Sequence, residues 1–315
     1  MISILFTCAC GKNSEKLFKI ISNNIPQINL IGCDEKKNYS GKYLNKFYNI
    51  KFKNSKNFIK KIYEVSKENN VKYIMAWADR EILILSKSKK KFIKIGTKIL
   101  LNDARLIKIF NDKYLTLNLL KRNKIKTPKY EIIKKKNNFD VLRRFGFPNK
   151  SVIIKTRNGI GGRGTFLLSG KNHKKFKWLG KNNREQIIKK FDNKFLTKIM
   201  IPNKSIVMEA LNKPAYDADS ISIKNKISII VRKRKNPAGV PYKGSKVVTN
   251  KSIVNQVSKI MKKENLKYIL DFDFMTKPGS KEPLIIEINP RPSGSLVDIN
   301  KKNKYLIVNF FKSLL

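Results

Sequence analysis

The chain has 315 residues, of which 70 are lysine or arginine and 22 are aspartate or glutamate, so its formal net charge is +48. No continuous apolar stretch reaches the ~18 residues of a membrane span, so we expect no transmembrane helix and no membrane partner. Three cysteines and one histidine argue against a disulfide framework, a zinc site and a histidine-based triad. The first residues indicate a strand rather than a signal peptide, and we expect a cytoplasmic protein.

The positive charge raises the alternative of a basic nucleic-acid-binding protein without catalysis. Lysines are spread along the whole chain, however, and the densest runs, 87–91 and 134–136, are short. A solvated lysine surface explains this pattern better than a nucleic-acid footprint, because net charge alone speaks to association and not to fold. We therefore expect no nucleic-acid partner.

Strands and helices alternate over the first third of the chain, with apolar runs at 2–7, 28–34 and 72–77. This alternation predicts a doubly wound α/β domain over residues 1–110. Asp79 and Glu81 follow the third run, at the carboxyl end of a strand, where open α/β sheets place ligands. They are candidate substrate contacts. Asn102 is a candidate cap for a helix that reaches residue 110.

A glycine-rich loop follows an apolar strand at 151–156. Residues 157–165 read Arg-Asn-Gly-Ile-Gly-Gly-Arg-Gly-Thr, a composition that lets successive backbone N–H groups converge on an anion. Lys155 can add a full positive charge to the same anion. The alternative is a plain turn, since the loop lacks the lysine and hydroxyl residue that close a P-loop.

Three further segments lie between this loop and the last third of the chain. Residues 171–193 are polar and are predicted to be helical, with His173 at the surface. Residues 204–211 are a strand that carries Glu209 near its end. The basic run that opens at Arg232 and extends to Lys243 is either a solvated hairpin end or a cationic lid over phosphate or a carboxylate substrate.

Two alternating strands near the end of the chain predict a hairpin. Residues 270–275 place Asp271 and Asp273 on one face, and residues 284–289 place Glu287 and Asn289 on one face. Residues 273 and 287 are symmetric about residue 280, inside the turn signal 277–280, so Asp273 should face Glu287. Asp273, Glu287 and Asn289 would then converge as oxygen ligands for Mg²⁺, with Mn²⁺ possible. The alternative is an amphipathic hairpin with a solvated face.

The run Glu287-Ile288-Asn289-Pro290-Arg291 and the order of the preceding parts resemble the ATP-grasp superfamily, especially its carbamoyl-phosphate-synthase-like and carboxylate–amine ligase branch. The resemblance implies an α/β fold in which an N-terminal doubly wound pre-ATP-grasp domain, 1–110, precedes an ATP-grasp domain, 111–315. In that domain two α+β subdomains, about 125–208 (the lid) and about 209–315 (the metal site), clasp ATP.

The resemblance also implies roles for single residues. Lys113 and Lys155 would hold the phosphates, Arg291 and Lys155 would be catalytic, and Asp273, Glu287 and Asn289 would hold Mg²⁺. The remaining nucleotide contacts would be Gly159, Gly161, Gly162 and Gly164 in the loop, Glu209, Ala210 and Leu211 at the adenine, and Asp217 at the ribose. The sequence departs from the family pattern at Thr156, often proline, and at Ala215, where a ribose-binding glutamate is expected.

These roles imply an ATP-dependent carboxylate–amine ligase that works through an acyl phosphate with Mg²⁺. Its partners would be a small carboxylate and an amine, and a homodimer is possible. The alternative within the same fold is a carbamoyl-phosphate-synthase-like phosphorylation or carboxylation of another small substrate.

Overall fold

The computed structural model describes the chain except for residues 12, 137–138, 160, 172–185, 191, 225, 236–243, 295 and 298–300. Across these described residues the strands form three sheets of five strands each. None of the described helices combines the length and the apolar character that crossing a bilayer requires.

The first sheet is parallel, in the order β3-β2-β1-β4-β5. Its strands are β1 (Ile2–Thr7), β2 (Ile28–Asp34), β3 (Lys46–Asn49), β4 (Val71–Met75) and β5 (Lys98–Ile99). The accompanying helices are α1 (Ser14–Asn24), α2 (Ser55–Glu68), α3 (Asp79–Lys87), α4 (Lys89–Ile93) and α5 (Ala104–Phe110). The strand order reverses direction between β1 and β4, which confirms the predicted doubly wound domain and creates a crevice at the carboxyl ends of these strands.

Local sequence explains these elements. The apolar residues of β1 are buried from Ile4 to Phe6, as expected of a parallel strand covered on both faces. In α2 the Asn54 side chain accepts a hydrogen bond from the backbone N–H of Asn57 and so caps the helix. Phe58 and Ile62 lie on its buried face at helical spacing.

The second sheet has the order β6-β10-β7-β8-β9. Its elements are α6 (Lys113–Arg122), β6 (Tyr130–Ile132), α7 (Asp140–Arg144), β7 (Val152–Thr156), β8 (Thr165–Leu168), β9 (Gln186–Ile188), α8 (Asn193–Ile199) and β10 (Ser205–Glu209). The predicted helix over 171–193 is wrong at residues 186–188, which form β9 and pair in parallel with β8. His173 and the rest of 172–185 lie outside the described residues.

The third sheet is antiparallel, in the order β13-β12-β11-β14-β15. Its elements are β11 (Asn212–Ile223), β12 (Lys226–Arg234), β13 (Ser245–Val247), α9 (Lys251–Lys263), β14 (Ile269–Thr276), β15 (Pro283–Asn289) and the closing helix α10 (Lys301–Lys312). Ile253, Val257 and Ile260 of α9 belong to the same buried cluster as Phe272 and Ile285. One face of the sheet is therefore apolar, which leaves the other face for polar side chains.

Asn102 does not cap a helix. Helix α5 begins at Ala104 after Asp103. The Asn102 Oδ1 atom accepts a hydrogen bond from the Lys267 backbone N–H at 2.8 Å, and its Nδ2 donates to the Lys267 carbonyl at 2.9 Å. The predicted cap is wrong because a partner 165 residues away in the sequence satisfies both ends of the amide. This pair ties the first domain to the third sheet.

Candidate active site

Carboxylates line the polar face of the third sheet. Asp273 of β14 lies opposite Glu287 of β15, as the symmetry about residue 280 predicts, and Asp271 lies opposite Asn289. The register continues into β11, where Asp217 lies opposite Asp273 and Asp219 opposite Asp271. Because directly paired residues project to the same side of a sheet, the acidic side chains form two adjacent rows across three strands.

Two arginines of β12 complete this face. Arg232 is fully buried, forms an ion pair with Asp219 and donates to the Ser293 hydroxyl at 3.0 Å. Arg234 binds both Asp217 and Asp273. The prediction of a basic loop or lid that opens at Arg232 is wrong for residues 232–234, which belong to the strand. Residues 236–243 lie outside the described part of the chain.

The electrostatics of this face follow from burial and from these arginines. Burial raises the pKa of Asp273 to about 7, against the opposing effect of Arg234, and Asp217 and Glu287 add to the increase. Burial also opposes ionisation of Asp217, but Arg234 outweighs it and holds the pKa of that carboxyl below its usual value. Burial and then Asp273 and Asp219 raise the pKa of Asp271 well above its usual value. The face therefore holds more carboxylate than its own arginines neutralise.

The oxygen atoms of this face are close enough to share a cation. One carboxylate oxygen each of Asp217, Asp271 and Asp273 lies within 4.8 Å of the others. The Asp271 Oδ1 atom is buried and has no hydrogen-bond partner among the described residues, while Oδ2 accepts from Asn289 at 3.2 Å. Asp271 lies outside the set of ligands predicted from the sequence, although its shared face with Asp273 is a signal that the alternation of residues 270–275 contains.

Lys113 joins the first turn of α6 to β15. Asp112 caps this helix by accepting from the backbone N–H groups of Tyr114 and Leu115. The Lys113 side chain is buried, and its Nζ atom donates to Glu287 Oε1 at 3.2 Å and to the Gly159 carbonyl at 2.6 Å. Burial opposes ionisation of Glu287, but Lys113 and Lys155 hold its pKa below the usual value. Both predicted phosphate lysines thus act on the predicted metal glutamate.

The glycine-rich loop is anchored at the same place. Arg157 donates from Nε to both Asp112 carboxylate oxygens, at 3.1 and 3.0 Å, and its carbonyl accepts from the Lys113 backbone N–H at 3.0 Å. Left-handed backbone occurs at three of the four predicted glycines, namely Gly161, Gly162 and Gly164, with φ of 62°, 79° and 71°. These left-handed conformations are readily open to glycine because it lacks a Cβ atom.

The predicted adenine segment lies where the second sheet meets the third. Strand β10 ends at Glu209, and β11 begins at Asn212, so Ala210 and Leu211 form the connection. The Glu209 Oε1 atom accepts from the Lys129 backbone N–H at 2.7 Å, which fixes the side chain. Asp217, predicted at the ribose, is 1% exposed and lies beneath Arg234.

Arg291, just after β15, joins this strand to the first domain. Its Nε atom donates to Asp79 Oδ1 at 2.5 Å and its NH2 group donates to Oδ2 at 3.0 Å. Asp79, a candidate substrate contact from the sequence, is the first residue of α3 and holds this guanidinium in a bidentate pair. A cavity of about 380 Å³ opens beside the pair, and both domains and the glycine-rich loop contribute to its lining, including Asp79, Phe110, Gly159, Gly161, Glu287 and Asn289.

Comparison with known families agrees with this geometry. A family model described as an ATP-grasp domain matches residues 110–295. The chain belongs to the ATP-grasp family. A model described as a PylC-like N-terminal domain matches residues 4–100. The family assignment confirms the predicted fold class and the prediction of an ATP-dependent, ADP-forming ligase.

Solved structures with the same fold are far from this ATP-grasp protein in sequence. N5-carboxyaminoimidazole ribonucleotide synthetase from Thermotoga maritima is 16% identical at a TM-score of 0.68, covering 99% of this chain and 76% of its own. L-amino acid ligase from Bacillus licheniformis is 10% identical at a TM-score of 0.70, and the match covers 100% of this chain and 74% of that protein. Biotin carboxylase from Campylobacter jejuni is 13% identical at a TM-score of 0.68, and the match covers 98% of this chain and 70% of that protein. No curated protein matches the chain.

Replacing Gly164 by Ala tests the loop of this ATP-grasp protein. A Cβ there would lie 2.4 Å from Thr156 Oγ1, so the loop must shift. We expect the KM for ATP to rise by about tenfold or more, the effect of losing ~1.4 kcal/mol of binding, as measured by ADP release over a range of ATP concentrations. Gly279→Ala is the control, because φ is +73° there but the added Cβ meets open space. An unchanged KM for ATP in Gly164→Ala would contradict the predicted role of the loop in binding ATP.

Glu81, the other candidate substrate contact, is 3% exposed. Burial raises its pKa to about 7, although a hydrogen bond from Thr7 opposes the increase. The folded state therefore favours the protonated acid, so its contribution to stability is fully present below the unfolded value of 4.5 and is lost as pH rises to about 7.

Glu81→Gln should remove this pH dependence. Between pH 4.5 and 7 the stability of the variant relative to the wild type should rise by about 3 kcal/mol, from the 2.5-unit difference between the folded and unfolded values. Urea unfolding at several pH values measures this. Glu64→Gln, on the exposed face of α2, is the matched control. If the difference in stability between Glu81→Gln and the wild type did not change with pH, the raised pKa of Glu81 would be contradicted.

Proposed function

We propose that the protein is an ATP-dependent ligase that joins a small carboxylate to an amine through an acyl phosphate, with Mg²⁺. The observation that carries the proposal is the convergence on Glu287, where two lysines from different elements and the carboxylates of β14 meet beside a cavity. This arrangement supports the proposal, because phosphoryl transfer needs cations for the phosphates and oxygen ligands for a metal side by side.

The donor set fits Mg²⁺. Asp273, Glu287 and Asn289 offer two carboxylates and an amide oxygen, which are hard oxygen ligands, and Mn²⁺ accepts the same set. Arg234 binds Asp217 as well as Asp273, so Asp273 can take part in a metal site without leaving the guanidinium unpaired. When bound, the cation would neutralise charge on the phosphate oxygens.

The nucleotide would lie between the second and third sheets. Lys113 and Lys155 supply charge to its phosphates, and the loop glycines Gly159, Gly161, Gly162 and Gly164 supply backbone N–H groups. The backbone at Glu209, Ala210 and Leu211 supplies the hydrogen bonds for adenine. We assign to Asp217 the holding of Arg234 in place of the ribose role implied by the resemblance, because its carboxylate is buried under that guanidinium.

The chemistry needs little proton transfer from the protein. A carboxylate oxygen of the substrate attacks the γ-phosphorus in line, the bond to the ADP oxygen breaks, and an acyl phosphate forms. The amine nitrogen then bonds to the acyl carbon, phosphate leaves with the C–O bonding electrons, and the nitrogen loses a proton. Arg291, fixed by Asp79, can stabilise the oxygen charge that develops in both steps.

A screen for ADP release tests this proposal. Small carboxylates, including bicarbonate, would be offered with ATP and Mg²⁺, with and without amines. We expect ADP release to depend on an acid and the product mass to equal acid plus amine minus water. Added hydroxylamine should trap the activated acid as a hydroxamate. ADP release that needs no acid, or no release with any pair, would contradict the proposal.

A second candidate is carboxylation, in which bicarbonate is the acid. Its support is the structural likeness to a protein named biotin carboxylase. In the same screen it predicts ADP release with bicarbonate alone among the acids, and a product heavier than the amine by one carbon dioxide.

A further inference from the structure

A second cavity opens as a groove between α6 and β6. It has a volume of about 960 Å³, and its described lining shares no residue with the cavity beside Glu287. Of the described residues, Glu209 alone belongs both to this lining and to the proposed adenine segment, and its carboxylate already accepts from the Lys129 backbone N–H. The groove is therefore a surface that the proposed ligase reaction does not use.

Lysine is concentrated in this groove. Six of its fifteen described lining residues are lysines with exposed side chains, whereas lysine and arginine together make up 70 of the 315 residues of the chain. These lysines are Lys121, Lys124, Lys126, Lys129, Lys134 and Lys277. The two acids of the lining are already engaged, because Glu131 forms an ion pair with Arg144 and Glu209 is bound as described above. The groove thus carries a local excess of positive charge.

Most of this charge is not neutralised within the protein. Lys126 forms an ion pair with Glu282, and the Lys129 amine donates to the Arg144 carbonyl at 2.8 Å. Among the residues that the structure describes, the other four lysine amines have neither an ion-pair partner nor a hydrogen-bond acceptor. Like charges held in one groove repel one another, so the groove favours a partner of negative charge.

Strand β6 gives the same groove a free backbone edge. It is the end strand of the second sheet, and within the described chain it pairs with β10 alone. The Lys129 carbonyl and the Ile133 N–H bond to the backbone of β10 at 3.0 and 3.1 Å. Because alternate residues of a strand direct their backbone groups to opposite edges, Tyr130 and Ile132 direct theirs away from β10. This edge can accept one more strand.

We propose that this groove binds an extended acidic segment of a protein partner, which adds to β6 as a further strand. The backbone of the segment would pair with Tyr130 and Ile132, and its carboxylates would meet the lysines, so one ligand satisfies both features. The proposal stands apart from the ligase function, since no residue of the proposed reacting centre takes part.

The apolar part of the lining suits the remaining side chains of such a segment. The rings of Tyr114 and Tyr130 lie edge to face with their centroids 6.0 Å apart, and the Tyr130 hydroxyl donates to Asn118 Oδ1 at 2.7 Å. Both rings are half-buried, as is Ile132 in the same lining. A strand places alternate side chains on opposite sides, so apolar residues between the acids can pack on these groups.

Two other occupants fit the groove less well. A nucleic acid would meet the lysines, but its phosphates carry no N–H donors for the carbonyl groups of Tyr130 and Ile132. A second copy of the chain carries the same net charge of +48 and would be repelled. The strand edge therefore favours a peptide over a polynucleotide, and the charge favours an acidic partner over this chain itself.

Binding of a fluorescent peptide of about eight residues, in which glutamate and valine alternate, tests the charge of the groove. Fluorescence anisotropy would compare the wild type with the double variant Lys121→Glu and Lys134→Glu. The matched control is Lys51→Glu with Lys67→Glu, because Lys67 lies in the last turn of α2 as Lys121 does in α6, and all four side chains are exposed. We expect the Kd to rise by about tenfold or more in the groove variant and by less than about twofold in the control.

Two further measurements test strand addition. Methylation of the backbone nitrogens of all the glutamates, or of all the valines, keeps the charge of the peptide and removes the donors along one edge. We expect at least one of the two methylated peptides to bind about tenfold more weakly than the parent. The parent peptide should also slow hydrogen exchange at the amides of Tyr130 and Ile132.

The proposal fails if the wild type does not bind the peptide, or if the groove variant binds it as tightly as the wild type. It also fails if both methylated peptides bind as well as the parent and exchange at the two amides is unchanged. An oligothymidylate of similar length that binds more tightly than the peptide, and loses its affinity in the groove variant, would replace the peptide by a nucleic acid and overturn the proposal as well.

Discussion

Replacing Glu287 by Gln is expected to lower the rate of ADP release by about 10²–10³-fold or more, the range seen when one group that stabilises the transition state is removed. The amide keeps the shape of the side chain but not its charge. Lys113 and Lys155 would then lack the anion that both of them stabilise, and one of the proposed metal ligands would be lost. The side chain is 25% exposed, so the fold should survive. Steady-state ADP release and thermal unfolding measure the two effects separately.

Glu282→Gln is the matched control. Glu282 precedes the same strand, and its ion-pair partner is Lys126, whose side chain is 75% exposed. Because exposed pairs contribute little, ADP release should match the wild type. Normal turnover in Glu287→Gln would contradict the proposed roles of Glu287 as a metal ligand and as the partner of the two lysines.

Replacing Arg232 by Leu is expected to destabilise the protein by about 3–5 kcal/mol, the cost of breaking a buried ion pair from one side. Arg232 and Asp219 are both 0% exposed, so the variant would leave a carboxylate buried without its cation. Urea unfolding monitored by circular dichroism measures the loss. Arg143→Leu, which removes an ion pair whose side chains are 81% and 71% exposed, should unfold like the wild type.

A double variant separates the charge from the packing. Arg232→Leu combined with Asp219→Leu removes both charges, and we expect it to recover part of the lost stability, since apolar replacement of a whole buried pair is often neutral. If Arg232→Leu alone unfolds like the wild type, the pair does not stabilise the sheet. If the double variant is no more stable than Arg232→Leu, the loss of stability arises from packing.

The hairpin of β14 and β15 was predictable because its information is local. Alternation placed Glu287 and Asn289 on one face, and the turn at 277–280 set the register with Asp273. Even there the structure adds a β-bulge after Asp273, which shifts the pairing so that Phe274 faces Ile285. A single extra residue in a ladder leaves no clear mark in the alternation of a short strand.

The errors at Arg232 and at Asn102 share one physical cause, which is a partner distant in sequence. A run of arginines and lysines from Arg232 suggested a solvated loop, because the carboxylates that make burial of Arg232 and Arg234 possible lie on other strands. Asn102 had the composition of a cap but bonds Lys267. Asp79 and Glu81 were both placed at the ligand edge, yet only the structure distinguishes the one that holds Arg291 from the one with an unused oxygen.

The bidentate pair between Asp79 and Arg291 limits how freely this enzyme can be recombined with its relatives. A chimaera that takes its first 100 or so residues from another ligase would keep Arg291 but lose the acid that fixes it, unless the donor has a carboxylate at the start of the same helix. The guanidinium would then lose the contact that fixes its position, although each module folded correctly. A chimaera should therefore keep its turnover only when the acid of the first domain and the arginine that follows β15 are both present.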